Sequence, residues 1–246
     1  MKIFIVIDET SFFHPDFLND LIENINHEVV GAGLVTNIPR KSNLTKYLIR
    51  RFYFLKFFEI LKLALSYLKN KRNKFSSVKF VLKYHKIPYI KIKNNINNVK
   101  YVDFINKYSP DIIISSNSLI FKEEILSIPK VCCINRHSSL LPSYAGLWPI
   151  FHAYINDEKF VGVSVHKMND KIDSGDILYQ EKIPIKKNDT IFSLYMKSFK
   201  ISSRAIILSI EYLDKSISPQ NSNDSYFSFP TNADWKLFRD KGGKFI

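Results

Sequence analysis

Short apolar runs and longer amphipathic runs alternate along the first two-thirds of the chain. The apolar runs are Lys2–Ile7, Val29–Thr36, Tyr89–Ile92, Asp111–Ser115 and Val131–Asn135, and several carry Ile and Val at consecutive positions. A strand that is apolar on both faces must be covered on both faces, as strands inside parallel sheets are. Between these runs, the segments around Asp16–Asn26, Ser77–His85, Tyr101–Tyr108 and Lys122–Leu126 read as helices. Alternation of this kind predicts an α/β fold with a mostly parallel sheet covered on both sides. No internal period is visible.

Leu44–Lys71 interrupts the alternation. Lys56, Glu59, Lys62, Ser66 and Lys69 recur every three or four residues and share one helical stripe, while most other positions are apolar. Such a helix is expected to bury most of its circumference, against the parent domain or a second subunit, and a peripheral contact with an anionic membrane is the alternative. Further on, Asp189–Leu213 predicts a long helix, and the polar stretch Lys215–Asn223 reads as a connection. A last short helix follows Pro230, with Asn232 as its cap and Gly242-Gly243 as its stop.

Composition narrows the class. A chain of 246 residues with 46% hydrophobic positions can bury one substantial core. No run is long and apolar enough to span a bilayer, and no leader with a small-residue cleavage site precedes the first strand, so a cytoplasmic protein is expected. The net charge is +13, but between Arg40 and Lys74 eleven basic residues stand against Glu59 alone, which places +10 of it in one segment. That concentration argues against a nucleic-acid surface spread over the molecule. Cys132 and Cys133 are adjacent in an apolar run and would point to opposite faces of a strand, which suits neither a disulfide nor a metal site.

The chemistry concentrates where the fifth apolar run ends. Asn135 and His137 lie two apart, hence on one face, at the carboxyl edge where open α/β sheets bind ligands. About thirty-five residues on, Asp173 sits at the centre of the turn Lys171–Asp176. Asp170, Asp173 and Asp176 lack the spacing of a calcium loop, and no distal Glu completes one, so no metal is expected. A carboxylate aimed at an imidazole is the more economical reading.

Asn135-x-His137-x-Ser139-Leu140-Leu141-Pro142, then Tyr144-x-Gly146 with Pro149, then Gly162-Val163-x-Val165-His166, then Asp173-x-Gly175-Asp176 together resemble the 10-formyltetrahydrofolate-dependent formyltransferases. The resemblance covers roughly residues 85–185 and implies a Rossmann-like fold. It assigns catalysis to Asn135, His137 and Asp173, with 10-formyltetrahydrofolate as co-substrate. Acyl transfer to an amine develops an oxyanion that the Asn135 amide can meet, a donor typically worth ~2.7–4 kcal/mol of barrier. His137 can take the proton shed by the amine, and Asp173 can orient the imidazole and stabilise its charge. The folate is expected along Asn117, Ser118, Leu119 and Ile120 and along Met168–Ile172, with Asn169, Asp170 and Ile172 among its contacts. Residues 1–186 would form the catalytic domain, with a basic helical insertion at about 40–75. Residues 187–246 would pack as an extension on the core or at a dimer interface. Two positions depart from the family: Arg136 stands where an apolar residue is usual, and Ala145 replaces a basic one.

The amine is less defined. Relatives acting on initiator methionyl-tRNA carry a further C-terminal domain, and those acting on glycinamide ribonucleotide open with a Gly-rich loop that is absent at Asp8–Phe13. Phe13-x-Pro15-x-Phe17-Leu18, Tyr226-x-x-x-Pro230 and Phe238-Arg239-x-x-Gly242 resemble the sugar N-formyltransferases most. That resemblance implies a homodimer acting on a nucleotide-linked amino sugar for surface polysaccharide or O-antigen synthesis. A dTDP-4-amino-4,6-dideoxyglucose is the first choice. Tyr144, Trp148, Tyr226 and Phe229 are the candidate substrate-binding residues, the aromatics suiting a base. A methionyl-tRNA formyltransferase-like enzyme and a non-catalytic folate- or nucleotide-binding module stay open.

Overall fold

The computed structural model describes residues 1–36, 54–215, 217 and 224–246. Its strands are β1 (Lys2–Asp8), β2 (Glu28–Val35), β3 (Tyr89–Ile92), β4 (Ile112–Ser116), β5 (Cys132–His137), β6 (Ala145–Gly146), β7 (Phe160–Lys167), β8 (Ile177–Pro184) and β9 (Tyr226–Phe227). The helices are α1 (Phe13–Asn24), α2 (Phe57–Lys71), α3 (Val78–Tyr84), α4 (Val99–Asn106), α5 (Glu123–Leu126), α6 (Pro149–Ile155), α7 (Ile191–Glu211) and α8 (Asn232–Asp240). The main sheet has seven strands in the order β3-β2-β1-β4-β5-β7-β8. The first five pair in parallel, while β5–β7 and β7–β8 are antiparallel. This is the expected Rossmann-like α/β architecture.

The apolar runs become central strands because both faces are needed. In β1, Ile3, Ile5 and Ile7 pack with Leu18 of α1 and Leu194 and Ile206 of α7, whereas Phe4 and Val6 pack with Tyr101 and Ile105 of α4. The chain first runs outward from β1 to β2 and β3, then returns to lay β4 and β5 on the other side. That reversal between β1 and β4 opens a crevice at the carboxyl ends of the strands, where doubly wound sheets bind ligands.

Local chemistry moves several boundaries. Helix α4 starts earlier than the apolar pattern suggests because Asn98 caps it, accepting from Lys100 N–H. Helix α8 is capped by Thr231 and not by Asn232. Thr231 accepts from Asp234 N–H, and the Asp234 carboxylate returns the bond to Thr231 N–H, a reciprocal box that Asn232 has no partner to form. The tail adds one element that the apolar pattern hid: β9 is two residues long and pairs with β6 as a second, separate sheet.

The basic segment departs furthest from expectation. Residues 44–53 lie outside the described residues, and from Phe57 onward α2 turns its apolar side outward. Phe57 is 73% exposed and Leu65 58% exposed, so the expected burial on the parent domain fails. Glu59 is instead the helix's buried residue, with Leu63, Ser66 and Asn70 half-buried on the same side. The cause is a bidentate ion pair in which Arg239 Nη1 and Nη2 bond the two Glu59 oxygens at 2.8 and 2.5 Å. Phe245 N–H and Lys56 N–H complete the carboxylate's coordination. A largely desolvated charge pair outranks apolar burial in setting which way the helix faces. No helix among the described residues is long and apolar enough to cross a membrane.

Breaking this clasp should be costly. Glu59→Ala is expected to lower the free energy of unfolding by about 3 kcal/mol, because it leaves Arg239 partly buried without its partner. Adding Arg239→Ala should cost much less than the sum of the two single changes. Strict additivity in denaturant titrations of the cycle would show that the pair does not hold α2 to α8.

Candidate active site

Strand β5 ends at the crevice with Asn135, Arg136 and His137, each 8% exposed. Strand periodicity puts Asn135 and His137 on the α4–α5 side of the sheet and Arg136 on the α1–α7 side. Asp173 approaches from the loop between β7 and β8. Its backbone is left-handed, with φ 49°, a conformation that Asp tolerates better than most residues. The loop closes tightly: Lys167 N–H bonds Asp176 O, and a Cβ on Gly175 would lie 1.8 Å from the Lys167 carbonyl oxygen. Only glycine fits there.

Four groups converge on the Asp173 carboxylate. Oδ2 accepts Gly146 N–H at 2.8 Å and lies 3.5 Å from His137 Nδ1. Oδ1 lies 3.3 Å from Asn135 Nδ2 and 3.6 Å from His166 Nε2. Burial by itself would raise the acid's pKa, yet His137, His166 and the Gly146 amide outweigh it and hold Asp173 well below the usual carboxylate range. It is an anion at any physiological pH. His137 donates Nε2–H to Tyr144 O at 2.9 Å, which leaves Nδ1 facing the carboxylate. Burial lowers the pKa of His137, opposed by the Asp173 charge, so the ring rests neutral near pH 7 with a basic Nδ1.

His166 is the residue that sequence reasoning left out of the site. Its Nδ1 donates to Lys167 O at 2.8 Å, and its Nε2 sits 3.2 Å from Asn135 Nδ2. It ends the run Gly162-Val163-x-Val165-His166 on the strand paired with β5, opposite Asn135 in register, and that motif was the available signal. The Asn135 Nδ2 is thus engaged, whereas its Oδ1 is buried with no hydrogen-bond partner among the described residues. Such an orphan costs ~1–3 kcal/mol unless a ligand supplies the missing group, and a half-turn of the amide would aim its N–H into the same space.

Two cavities meet at these side chains. The first, about 280 Å³, is lined by Asn117, Ser118, Leu119 and Ile120, by Asn169, Asp170 and Ile172, and by Asn135 and Asp173. All seven residues expected against the folate therefore share one cavity. Asn117 shapes it through local bonds: its Nδ2 donates to Val6 O and Ser115 Oγ, and its Oδ1 accepts Leu119 N–H. The second cavity, about 490 Å³, lies toward α1 and α7, with walls of Phe13, Trp148, Phe192, Tyr195 and Trp235. Asn117, Ser118, Arg136, His137, Gly146 and Leu147 border both.

The expected substrate residues disperse. Trp148 lines the larger cavity, while Tyr226, 60% exposed, borders the smaller one. The Tyr144 ring stacks on Phe227 and its hydroxyl bonds Glu158, so only its carbonyl reaches His137. Phe229 is 58% exposed and borders neither cavity.

A Rossmann-like sheet that presents an amide, an imidazole and a carboxylate to one cavity, the imidazole also bordering a second, is the frame of a group-transfer protein. Residues 64–210 match the formyl transferase family, and the chain belongs to it. It is 49% identical over 124 residues to the bifunctional polymyxin resistance protein ArnA of Wigglesworthia glossinidia brevipalpis, covering 50% of this chain and 19% of that protein. It is 34% identical over 204 residues to the methionyl-tRNA formyltransferase of the same organism, covering 82% of this chain and 55% of that one. The chain thus spans about half the length of the methionyl-tRNA formyltransferases it matches, and a fifth of ArnA. Among solved structures it superposes on phosphoribosylglycinamide formyltransferase from Bacillus halodurans with TM-score 0.61 and 19% identity, over 87% of this chain and 95% of that one. A sugar N-formyltransferase from Shewanella sp FDAARGOS_354 gives TM-score 0.59 at 18% identity, over 97% and 87% of the two chains. WlaRD, a sugar 3N-formyl transferase solved with dTDP and 5-N-formyl-THF, gives 0.58 at 20%, over 93% and 70%.

The opposed influences on His137 have a measurable sign. Burial dominates, so its NMR titration midpoint should fall below the ordinary histidine value of about 6.5. Because Asp173 is the main group raising it, Asp173→Asn should move the midpoint lower still. A midpoint in that variant equal to or above the wild type would show that the two side chains are not coupled.

Proposed function

We propose that this protein transfers a formyl group from 10-formyltetrahydrofolate to the amino group of a nucleotide-linked amino sugar. The observation that carries the reading is the convergence of Asn135, His137 and Asp173 at the smaller cavity, with His137 also bordering the larger one. The smaller cavity, with its backbone-rich edge at Asn117–Ile120 and its loop 168–172, suits the pterin. The larger, with Trp148 and Trp235 in its walls, suits a base and sugar. Residues 1–186 act as the catalytic unit, and the extension 187–246 contributes Phe192, Tyr195, Trp235 and Phe245 to the acceptor's cavity.

The bound folate supplies the activated formyl carbon. The chain's own groups do the rest. The Asn135 amide, turned toward the cavity, donates to the carbonyl oxygen as it gains charge. His137 Nδ1 takes the proton lost by the attacking amine, and the imidazolium so formed has Asp173 Oδ2 at 3.5 Å to meet its new charge. It then returns the proton to the donor nitrogen that leaves as the formyl C–N bond breaks. Asp173 is already ionised and fixed by Gly146 N–H, so little reorganises at that moment. His166 Nε2 lies 3.2 Å from Asn135 Nδ2 and 3.6 Å from Asp173 Oδ1, so the ring packs against both groups.

The choice of sugar rests on the resemblance in the tail motifs and on the sugar N-formyltransferases among the structural neighbours, with dTDP-4-amino-4,6-dideoxyglucose first and a role in O-antigen or lipopolysaccharide assembly. The methionyl-tRNA formyltransferase relatives and the basic stretch 40–74 favour charged initiator tRNA as the second reading.

Incubation with 10-formyltetrahydrofolate and a panel of nucleotide amino sugars should yield one product heavier by a formyl group. His137→Ala should cut turnover by roughly 10²–10⁴-fold with folate binding retained. Formylation of methionyl-tRNA alone would remove the sugar from the reading, and near-wild-type turnover in His137→Ala would remove the mechanism.

A further inference from the structure

Arg136 is the one charged residue in β5, and its side chain lies opposite Asn135 and His137. It is 8% exposed. Its Nε donates to Ser202 Oγ at 2.8 Å, its Nη2 to Ser198 Oγ at 2.5 Å, and its guanidinium carbon stands 3.9 Å from the centre of the Phe199 ring. No carboxylate among the described residues forms an ion pair with it. Neutral hydroxyls and an aromatic face do not repay the desolvation of a full charge, which normally requires a buried anion. Desolvation brings its pKa down to about 9, so the cation persists near neutrality.

The rest of the guanidinium points to where the anion goes. Nη1 has no hydrogen-bond partner among the described residues, and the residue keeps 8% of its surface exposed. Arg136 borders both cavities, and the side of β5 that it occupies faces the larger one, between α1, α7 and the carboxyl ends of β4 and β5. His14 lines the same wall but carries no charge there, because desolvation and then the Arg136 charge push its pKa down to about 3. Arg136 therefore supplies the positive charge among the described residues of that wall, framed by Phe13, Tyr195 and Phe199, while Asp8, itself engaged, lines the same cavity.

We propose that Arg136 anchors an oxyanion of the acceptor, a phosphoryl or carboxylate group, inside this aromatic cavity. The proposal rests on reading that cavity as the acceptor's, and it deepens that reading by adding a charge requirement to the substrate. The ligand chemistry is an oxygen anion attached to a flat or apolar group. The oxyanion accepts from Nη1, and the apolar part packs on Trp148 and Phe192.

Both tryptophans of the chain, Trp148 and Trp235, line this cavity, so intrinsic fluorescence reads its occupancy without any turnover. Thymidine diphosphate and phenyl phosphate serve as phosphoryl probes, benzoate as the carboxylate probe, and phenol and benzamide as their neutral counterparts. The wild type should bind at least one anionic probe roughly ten- to hundred-fold more tightly than its neutral counterpart. Arg136→Met should erase that preference, Arg136→Lys should keep part of it, and the melting temperature of Arg136→Met should hold or rise, since an unpaired buried charge is removed. The preferred probe identifies the oxyanion. Equal binding of anionic and neutral probes by the wild type overturns the proposal without recourse to any variant, as does an undiminished preference in Arg136→Met. Anion binding without formyl transfer to any acceptor would instead remove the functional reading and leave the anion site standing.

Discussion

A buried carboxylate that cannot be neutral dictates the site. Asp173 is mostly withdrawn from water, and its four contacts come from three strands: His137 and Asn135 from β5, His166 from β7, and Gly146 N–H from β6. Removing any of them leaves an anion less well satisfied in a low-dielectric place, where the cost is several times that at a surface. The three strands are therefore coupled through one side chain. The tail joins this coupling, since β9 pairs with β6 and Gly146 sits at φ 91° with Phe227 O where a Cβ would be. The two-residue strand β9 thus helps to hold the Asp173 carboxylate in line.

Strand periodicity then divides the labour. Consecutive residues of β5 face opposite sides, so Asn135 and His137 serve one side while Arg136 serves the other, without any loop to separate them. The separation has electrostatic consequences. Burial opposes protonation of both His14 and His137, the Arg136 charge opposes it further, and on His137 the Asp173 charge and the Tyr144 carbonyl pull the other way. The result is a neutral imidazole beside a permanent anion on one side, and a cation with no ion-pair partner among the described residues on the other. A substrate that brings its own negative charge and offers a free amine complements both.

Much of this arrangement was legible before any coordinates. Parallel strands bury both faces, so their Ile- and Val-rich runs announce them, and the spacing of Asn135 and His137 places two polar groups at a strand end. What escaped depends on partners distant in sequence. The outward turn of α2 follows from Arg239, 180 residues beyond Glu59, and no periodicity within the helix contains that information. Tyr144 looked like an aromatic contact for substrate, but its ring found Phe227 and its hydroxyl found Glu158. His166 was visible as part of a strand motif, yet its role needs the antiparallel register that sets it opposite Asn135. Thr231 displaced Asn232 as a cap because the third residue of the helix is an Asp that can reciprocate.

Position 136 shows why an unexpected residue is more informative than an expected one. An apolar side chain there would simply fill space between β5 and α7, and its presence would carry no message about ligands. An arginine must be desolvated to occupy that space, and Ser198 and Ser202 on successive turns of α7, with Phe199 between them, form a seat shaped for a guanidinium. Ser202 spends its own proton on the Ser198 carbonyl, so its oxygen is free to accept from Nε. The helix has accommodated the charge without cancelling it. A fold that needed only a filled core would be better served by a hydrocarbon, so the retained positive charge, one residue from the base and bordering the same cavity, is best explained by what enters that cavity.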